Sequence, residues 1–117
     1  MTTVTVVIQN SPYREDNKAW HALRFAGAAL AEDMTVRVHL LDDGVELGRH
    51  SHQVPDGAVD LEALLSELIE CGLEVRACGM ALNDCDIDES AMLPGIERGS
   101  MKALAGWVKD SDHVMVF

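Results

Sequence analysis

The segment Val4-Thr5-Val6-Val7-Ile8-Gln9 is β-branched and almost continuously apolar, a pattern that suits a strand covered on both faces. Asn10-Ser11-Pro12-Tyr13-Arg14 breaks it. From Asn17 to Glu32 the period becomes helical, with Ala19, Leu23, Ala26 and Leu30 on one stripe, Trp20 beside it, and Asp16 or Asn17 as the expected N-cap. Thr35 to Leu41 resumes the strand signal, and Asp42-Asp43-Gly44 stops it with turn chemistry. Residues 48–59 hold no sustained period and read as a mobile connection. Asp60 then caps the clearest helix, in which Leu61, Leu64, Leu65, Leu68 and Ile69 recur at helical spacing and Gly72 marks the end.

Leu73 to Ala77 forms a third strand that ends at Cys78-Gly79. The stretch from Met80 to Gly99 is weakly patterned, with a short helix expected from Asp88 to Leu93. Ser100 opens a last helix carrying Met101, Leu104, Ala105 and Val108 on one face, and His113 to Phe117 closes as a strand. Strands that alternate with helices over short connections define an α/β fold, because right-handed crossovers place the helices on the faces of a parallel sheet. Four or five strands are expected. No internal repeat or low-complexity linker divides residues 1–117, so one domain is expected.

Charge narrows the partners. With 20 acidic against 9 basic side chains the net charge is −11, and Lys and Arg are scattered singly, so phosphate backbones and anionic lipid are repelled. No apolar run approaches the ~20 residues of a membrane span, and Met1-Thr2-Thr3-Val4 is not leader-like, so a cytoplasmic location is expected. Three cysteines are too few for a disulfide scaffold, and each is read as a buried or a reactive thiol.

Ligands of open α/β sheets gather at the carboxyl ends of the strands, which directs attention to residues 9–14, 41–44 and 77–82. Cys78 lies in this set, and Gly79 after it allows backbone amides to approach a bound group, so Cys78 reads either as a nucleophile and sulfur acceptor or as a small buried hydrophobe. Asn10, Ser11, Tyr13, Asp43 and Gly79 are the expected binding residues around it. Cys71 continues the apolar stripe of its helix and is expected in the core. Cys85, set in Asn83-Asp84-Cys85-Asp86-Ile87-Asp88-Glu89, is the poorer nucleophile because carboxylates oppose its thiolate.

Other chemistries fit less well. Asp84, Asp86 and Asp88 imitate the start of a calcium loop, but Glu89 and Gly95 stand where glycine and glutamate are required. His50 and His52 lack the companion spacing of a zinc motif, and no metal is expected. His39 and His113 fall in strand patterns and read as structural. The turn after the first strand has no glycines for a dinucleotide or phosphate loop, and the few aromatics offer little to a flavin, so no cofactor is expected.

Several segments together resemble the DsrE/DsrF-like family of small sulfur-relay subunits and their relatives: Ser11-Pro12-Tyr13 with Ala19-Trp20 and Ala22-Leu23-Arg24, then Leu40-Leu41-Asp42-Asp43-Gly44-Val45, Glu74-Val75-Arg76-Ala77-Cys78-Gly79, and Gly99-Ser100-Met101 leading to Trp107-Val108. The resemblance covers nearly the whole chain. It implies a three-layer α/β/α sandwich with a mainly parallel sheet of about five strands, assembled as a homotrimer or a hexamer. It also implies that Cys78 carries a persulfide between donor and acceptor proteins, as a sulfurtransferase or sulfur-carrier subunit. Many stand-alone relatives carry a second cysteine three positions later, where this chain has Ala81. From the residues alone the alternative is a non-catalytic oligomeric module that binds a small ligand and buries Cys78 as a structural thiol. Assembly has an independent motive, since Trp20, Phe25 and Trp107 lie outside the clear stripes and must be buried in the core or against another subunit.

Overall fold

A computed structural model describes residues 1–14, 16–50 and 53–117. Five strands form one sheet, β1 (Thr3–Ile8), β2 (Thr35–Leu40), β3 (Glu74–Cys78), β4 (Ile96–Gly99) and β5 (His113–Val116), in the order β4-β3-β2-β1-β5. Every neighbouring pair is parallel. Four α-helices connect them, α1 (Lys18–Ala31), α2 (Leu61–Glu70), α3 (Gly79–Asp84) and α4 (Met101–Asp110). The chain steps outward in one direction from β1 to β4 and then returns past β1 to β5. With right-handed crossovers this reversal puts α1 and α2 on one face and α4 on the other, giving three layers.

The two faces follow from the pleat. Val4, Val6 and Ile8 pair laterally with Val36, Val38 and Leu40, and β3 continues the row with Val75 and Ala77. All of these are buried with Leu23, Ala26, Leu65 and Leu68 in one apolar cluster. Removing such a side chain from water contributes about 1.5–3 kcal/mol. The alternate residues, Thr5 and Val7, Arg37 and His39, Arg76 and Cys78, point toward α4.

Local signals explain the helix ends. Asp60 Oδ1 accepts from the Ala63 amide at 3.1 Å and Ser100 Oγ from the Ala103 amide at 3.1 Å, as the capping pattern requires. At α1 the expected side-chain cap does not form. Asn17 occupies the cap position with left-handed φ of 53° and no side-chain bond, while Asp16 Oδ1 accepts from the Lys18 amide at 3.1 Å.

Five expectations need correction. Cys71 is exposed, because α2 closes at Glu70 in a Schellman turn: the Leu73 amide donates to the Leu68 carbonyl, the Gly72 amide to that of Ile69, and Gly72 takes φ of 108°. Leu73 enters the core in its place. The stripe Met101, Leu104, Ala105 and Val108 is not the buried face of α4, whose single buried residue is Trp107. The stretch 80–99 holds α3 and the fifth strand, β4, and its expected helix shrinks to the 3-10 turn Glu89–Ala91. Residues 42–48 form a 3-10 helix rather than a simple turn. The start of the connection 48–59 is tied down, with Arg49 bridged to Met92, the His50 amide donating to the Ala91 carbonyl at 2.7 Å, and the Leu93 amide to that of Gly48 at 2.8 Å.

Candidate functional site

Connections from adjacent strands diverge at one place in this sheet. The chain leaves β3 through Cys78-Gly79 into α3, and leaves neighbouring β4 through Gly99-Ser100 into α4 on the opposite face. Between two such exits the carboxyl edge of a sheet opens into a crevice, the usual ligand position of open α/β folds. A cleft of about 320 Å³ lies there, lined by Leu41 and Asp42 after β2, by Cys78 to Ala81 and Asp84, and by Arg98 to Met101. Its volume suits a small group or the end of an inserted segment.

Cys78 is 6% exposed and pairs laterally with Gly99. It stands at the N-cap of α3, and its side chain makes no capping hydrogen bond there. The Arg98 guanidinium lies directly over Gly79, where an added Cβ would come within 2.5–2.6 Å of it. Gly79 is therefore needed for close approach of that cation to the loop after Cys78. No carboxylate among the described residues forms an ion pair with Arg98, so an acidic protein presents a free cation at its cleft. Sequence reasoning missed Arg98, because its strand sits in the weakly patterned stretch and only the sheet register brings it beside β3.

Of the residues expected at the site, Cys78 and Gly79 meet in this cleft. Asp43 does not line it and its neighbour Asp42 does, with left-handed φ of 50°. Ser11 Oγ donates to the Asp43 carbonyl at 3.4 Å, which joins the turn after β1 to the turn after β2. Asn10, half-buried, precedes it outside the cleft. Tyr13 turns away: its hydroxyl accepts from the Leu61 amide at 3.0 Å, and with Asn17, Trp20, Ala58 and Val59 it lines a separate cavity of about 230 Å³.

The remaining titratable candidates separate clearly. Cys85 is partly exposed, and burial followed by the charges of Asp43, Glu46, Asp84 and Asp42 pushes its pKa up, so its thiol stays protonated more firmly than usual. Asp88 is occupied in the 3-10 turn, accepting from the Ser90 amide at 2.9 Å and from Ser90 Oγ at 2.8 Å, and these bonds lower its pKa. His50 Nδ1 stands 3.1 Å from Glu62 Oε2, while His52 lies outside the described residues. Among the described residues no group of three or more His, Cys, Asp or Glu side chains could hold a metal ion.

The face toward α4 contains a second polar cluster. Trp107 is flanked by the Arg76 guanidinium at 4.3 Å and that of Arg37 at 5.8 Å from the ring centroid, with the His39 ring edge-on at 6.3 Å. His39 is fully buried. Burial lowers its pKa and the Arg76 charge adds to this, against a smaller opposing pull from the Ser100 backbone, so the ring favours its neutral form. Neither of its nitrogens closes a hydrogen bond among the described residues.

Parallel sheet, divergent exits and a thiol at the crevice define a three-layer α/β/α sandwich with a cysteine-bearing cleft. The chain belongs to the DsrE/DsrF-like family, whose model matches residues 2–117. Among its relatives, "Uncharacterized protein MK0008" from Methanopyrus kandleri is 41% identical over 97% of this chain and 93% of its own length. "Uncharacterized protein MJ0989" from Methanocaldococcus jannaschii is 34% identical over 97% of both chains. The crystal structure of the YchN protein from E. coli superposes over 100% of both chains with a TM-score of 0.91 at 24% identity, a likeness of fold. No described helix is long and apolar enough to cross a membrane.

Proposed function

We propose that this chain is a cytoplasmic sulfur-handling protein in which Cys78 takes up sulfane sulfur as a persulfide and passes it to a partner thiol. The observation that carries this reading is a thiol lining the switch-point cleft together with Arg98, a cation that meets no carboxylate among the described residues. A thiolate or persulfide anion held there shares its cleft with a positive charge and is shielded from bulk oxidants by burial. In the exchange, Cys78–SH and R–S–SH give Cys78–S–SH and R–SH: a bond forms from Cys78 Sγ to the outer sulfur, the bond between that sulfur and R–S breaks, and the thiol proton ends on the departing sulfur. Asp43, next to the cleft-lining Asp42, with Ser11 hydrogen-bonded to it and neighbouring Asn10, is where a donor or acceptor segment would rest. With Ala81 in the position where many relatives carry a second cysteine, the acceptor thiol comes from another protein.

The working form is a homo-oligomer, a trimer or a hexamer. Trp107 is buried and Trp20 and Phe25 are partly buried within one chain, but other apolar groups are not. Met80 is 73% and Met101 62% exposed at the mouth of the cleft, and Val108, Val114 and Val116 extend an apolar surface along α4 and β5. A neighbouring copy that covers them would help shape each cleft.

The alternative, a binding module with Cys78 as a structural thiol, is favoured by the burial of that residue, and one experiment separates the two. Incubation of the full chain with a cysteine desulfurase and cysteine, followed by peptide mass spectrometry, is expected to add sulfur at Cys78 and to fail in Cys78→Ser. Absence of added sulfur on Cys78, or loading that persists in Cys78→Ser, overturns the proposal.

A further inference from the structure

His39 is a fully buried side chain whose ring nitrogens close no hydrogen bond among the described residues, and the sheet places it on the face that carries the cysteine. It stands on β2 opposite Arg76 of β3, and Gly99 of β4 stands opposite Cys78. Its Nε2 nevertheless lies only 2.8 Å from the point that a Cβ on Gly99 would occupy, and Cδ2 only 3.4 Å. To reach β4 from β2 the imidazole must cross the face of β3. Because Gly99 is two residues beyond Glu97, the lateral partner of Arg76, the ring crosses obliquely, on the Cys78 side of Arg76. Cys78 and Arg76 project from that same face, two residues apart, so the ring tip lies on the face from which the cysteine side chain projects, without a hydrogen bond to it in this resting arrangement. Gly99 has a reason here that is independent of any turn: a methyl group at this position would fill the space the imidazole uses.

We propose that His39 is the proton acceptor for Cys78, taking the thiol proton at Nε2 as sulfur attacks and delivering it to the departing group. This rests on the reading of Cys78 as the sulfur acceptor and names the residue that moves its proton. The step is balanced: the S–H bond of Cys78 breaks as an N–H bond forms on His39, the Cys78 Sγ to outer-sulfur bond forms as the donor S–S bond breaks, and R–S⁻ then takes the proton from His39. The charge on the ring exists only between those two transfers, which suits a site where burial favours the neutral form. Charged groups sharing this face are Arg37 on β2, Glu74 and Arg76 on β3 and Glu97 on β4, while α4 meets the ring with uncharged Trp107. Arg76 stands two residues from Cys78 on this face, Arg37 and Glu74 pair laterally with each other four residues back along the sheet, and Arg98 lies over the neighbouring Gly79.

The test reads proton transfer without sulfur. Alkylation by iodoacetamide, followed peptide by peptide from about pH 6 to about pH 10, compares the full chain with His39→Gln. Cys78 is expected to react about tenfold more slowly in the variant near neutral pH and to converge with the native rate near pH 10, where the thiol ionises unaided. Exposed Cys71 should react equally in both. Superimposable Cys78 profiles in a folded variant overturn the proposal. Should His39→Gln not fold, ring-nitrogen resonances of the native chain labelled with ¹⁵N-histidine serve instead: alkylation of Cys78 should shift those of His39, and unchanged resonances overturn the proposal. A coupled His39–Cys78 pair in a protein that acquires no sulfur from the desulfurase supports the pairing and overturns only the sulfur reading.

Discussion

The two faces of the sheet are built from the same five strands and differ in what they bury. Toward α1 and α2, the strands present Val4, Val6, Ile8, Val36, Val38, Leu40, Val75 and Ala77, all buried among helix leucines and alanines. Toward α4 they present Thr5, Arg37, His39, Arg76 and Cys78 under one tryptophan. Thr5 Oγ1 lies 2.5 Å from Ser111 Oγ, which donates to the Trp107 carbonyl at 2.6 Å, so α4 is fastened at its end by hydrogen bonds. The first face removes apolar area from water with no polar cost. The second holds guanidinium atoms of Arg37 and imidazole atoms of His39 without hydrogen-bond partners among the described residues, and each such group costs free energy until something pairs with it. Stability is concentrated on one face and chemistry on the other.

Substitution should expose that division. Leu40→Ala, in the fully buried apolar layer, is expected to lose about 2–5 kcal/mol in denaturant unfolding while leaving Cys78 chemistry intact in the folded fraction. A loss below about 1 kcal/mol would break the assignment of stability to that face. Gly44→Ala comes next, since a Cβ there overlaps the Ile8 carbonyl, rigid backbone at the end of β1, and about 1–3 kcal/mol is expected. Gly79→Ala is the matched contrast. Its Cβ meets the flexible end of Arg98, so the guanidinium should swing aside with a smaller effect on unfolding, and sulfur loading should fall. If both glycine variants lose equal stability, Arg98 is fixed structure rather than a mobile cation.

The helix caps give a finer comparison. Asp60→Ala on α2 and Ser100→Ala on α4 each remove one side-chain cap and should cost about 1 kcal/mol. Ser100→Ala alone should also change Cys78 alkylation, because Ser100 lines the cleft. The smallest expected effect is carried by a single proton. The pKa of His39 is lowered in the folded chain, so the unfolded chain binds that proton more readily. This contribution to stability is complete above the ordinary histidine pKa of about 6.5 and declines as pH falls below it. Unfolding free energies measured from about pH 7.5 to about 5.5 should therefore slope less steeply in His39→Gln than in the native chain. Parallel slopes would mean that burial of His39 carries no proton linkage.

Periodicity exposed the apolar face because that face is made by local rules. The β-branched strand β1, the capped leucine stripe of α2 and the closing glycine at position 72 each satisfy a pattern confined to a few neighbouring residues, and all three stand where those patterns predict. The same rules misplaced Cys71 by one turn end and chose the wrong face of α4. A helix that covers a polar sheet face has no apolar stripe to announce which side is inward, and its burial here depends on Trp107 stacking between arginines of β2 and β3. β4 escaped notice for a related reason: Ile96-Glu97-Arg98-Gly99 is a short edge strand whose identity comes from pairing with β3 rather than from its own composition.

By itself the sequence determined the α/β class, the parallel sheet and the position of Cys78 at a strand's carboxyl end, because backbone propensity, hydrophobic period and capping act over a handful of residues. Only the tertiary structure decided that β3 and β4 send their connections to opposite faces, that Arg98 covers Gly79, and that His39 reaches across β3 to Gly99. Those relations join residues 19 to 60 positions apart through lateral strand register, and no local pattern along the chain encodes a register between strands.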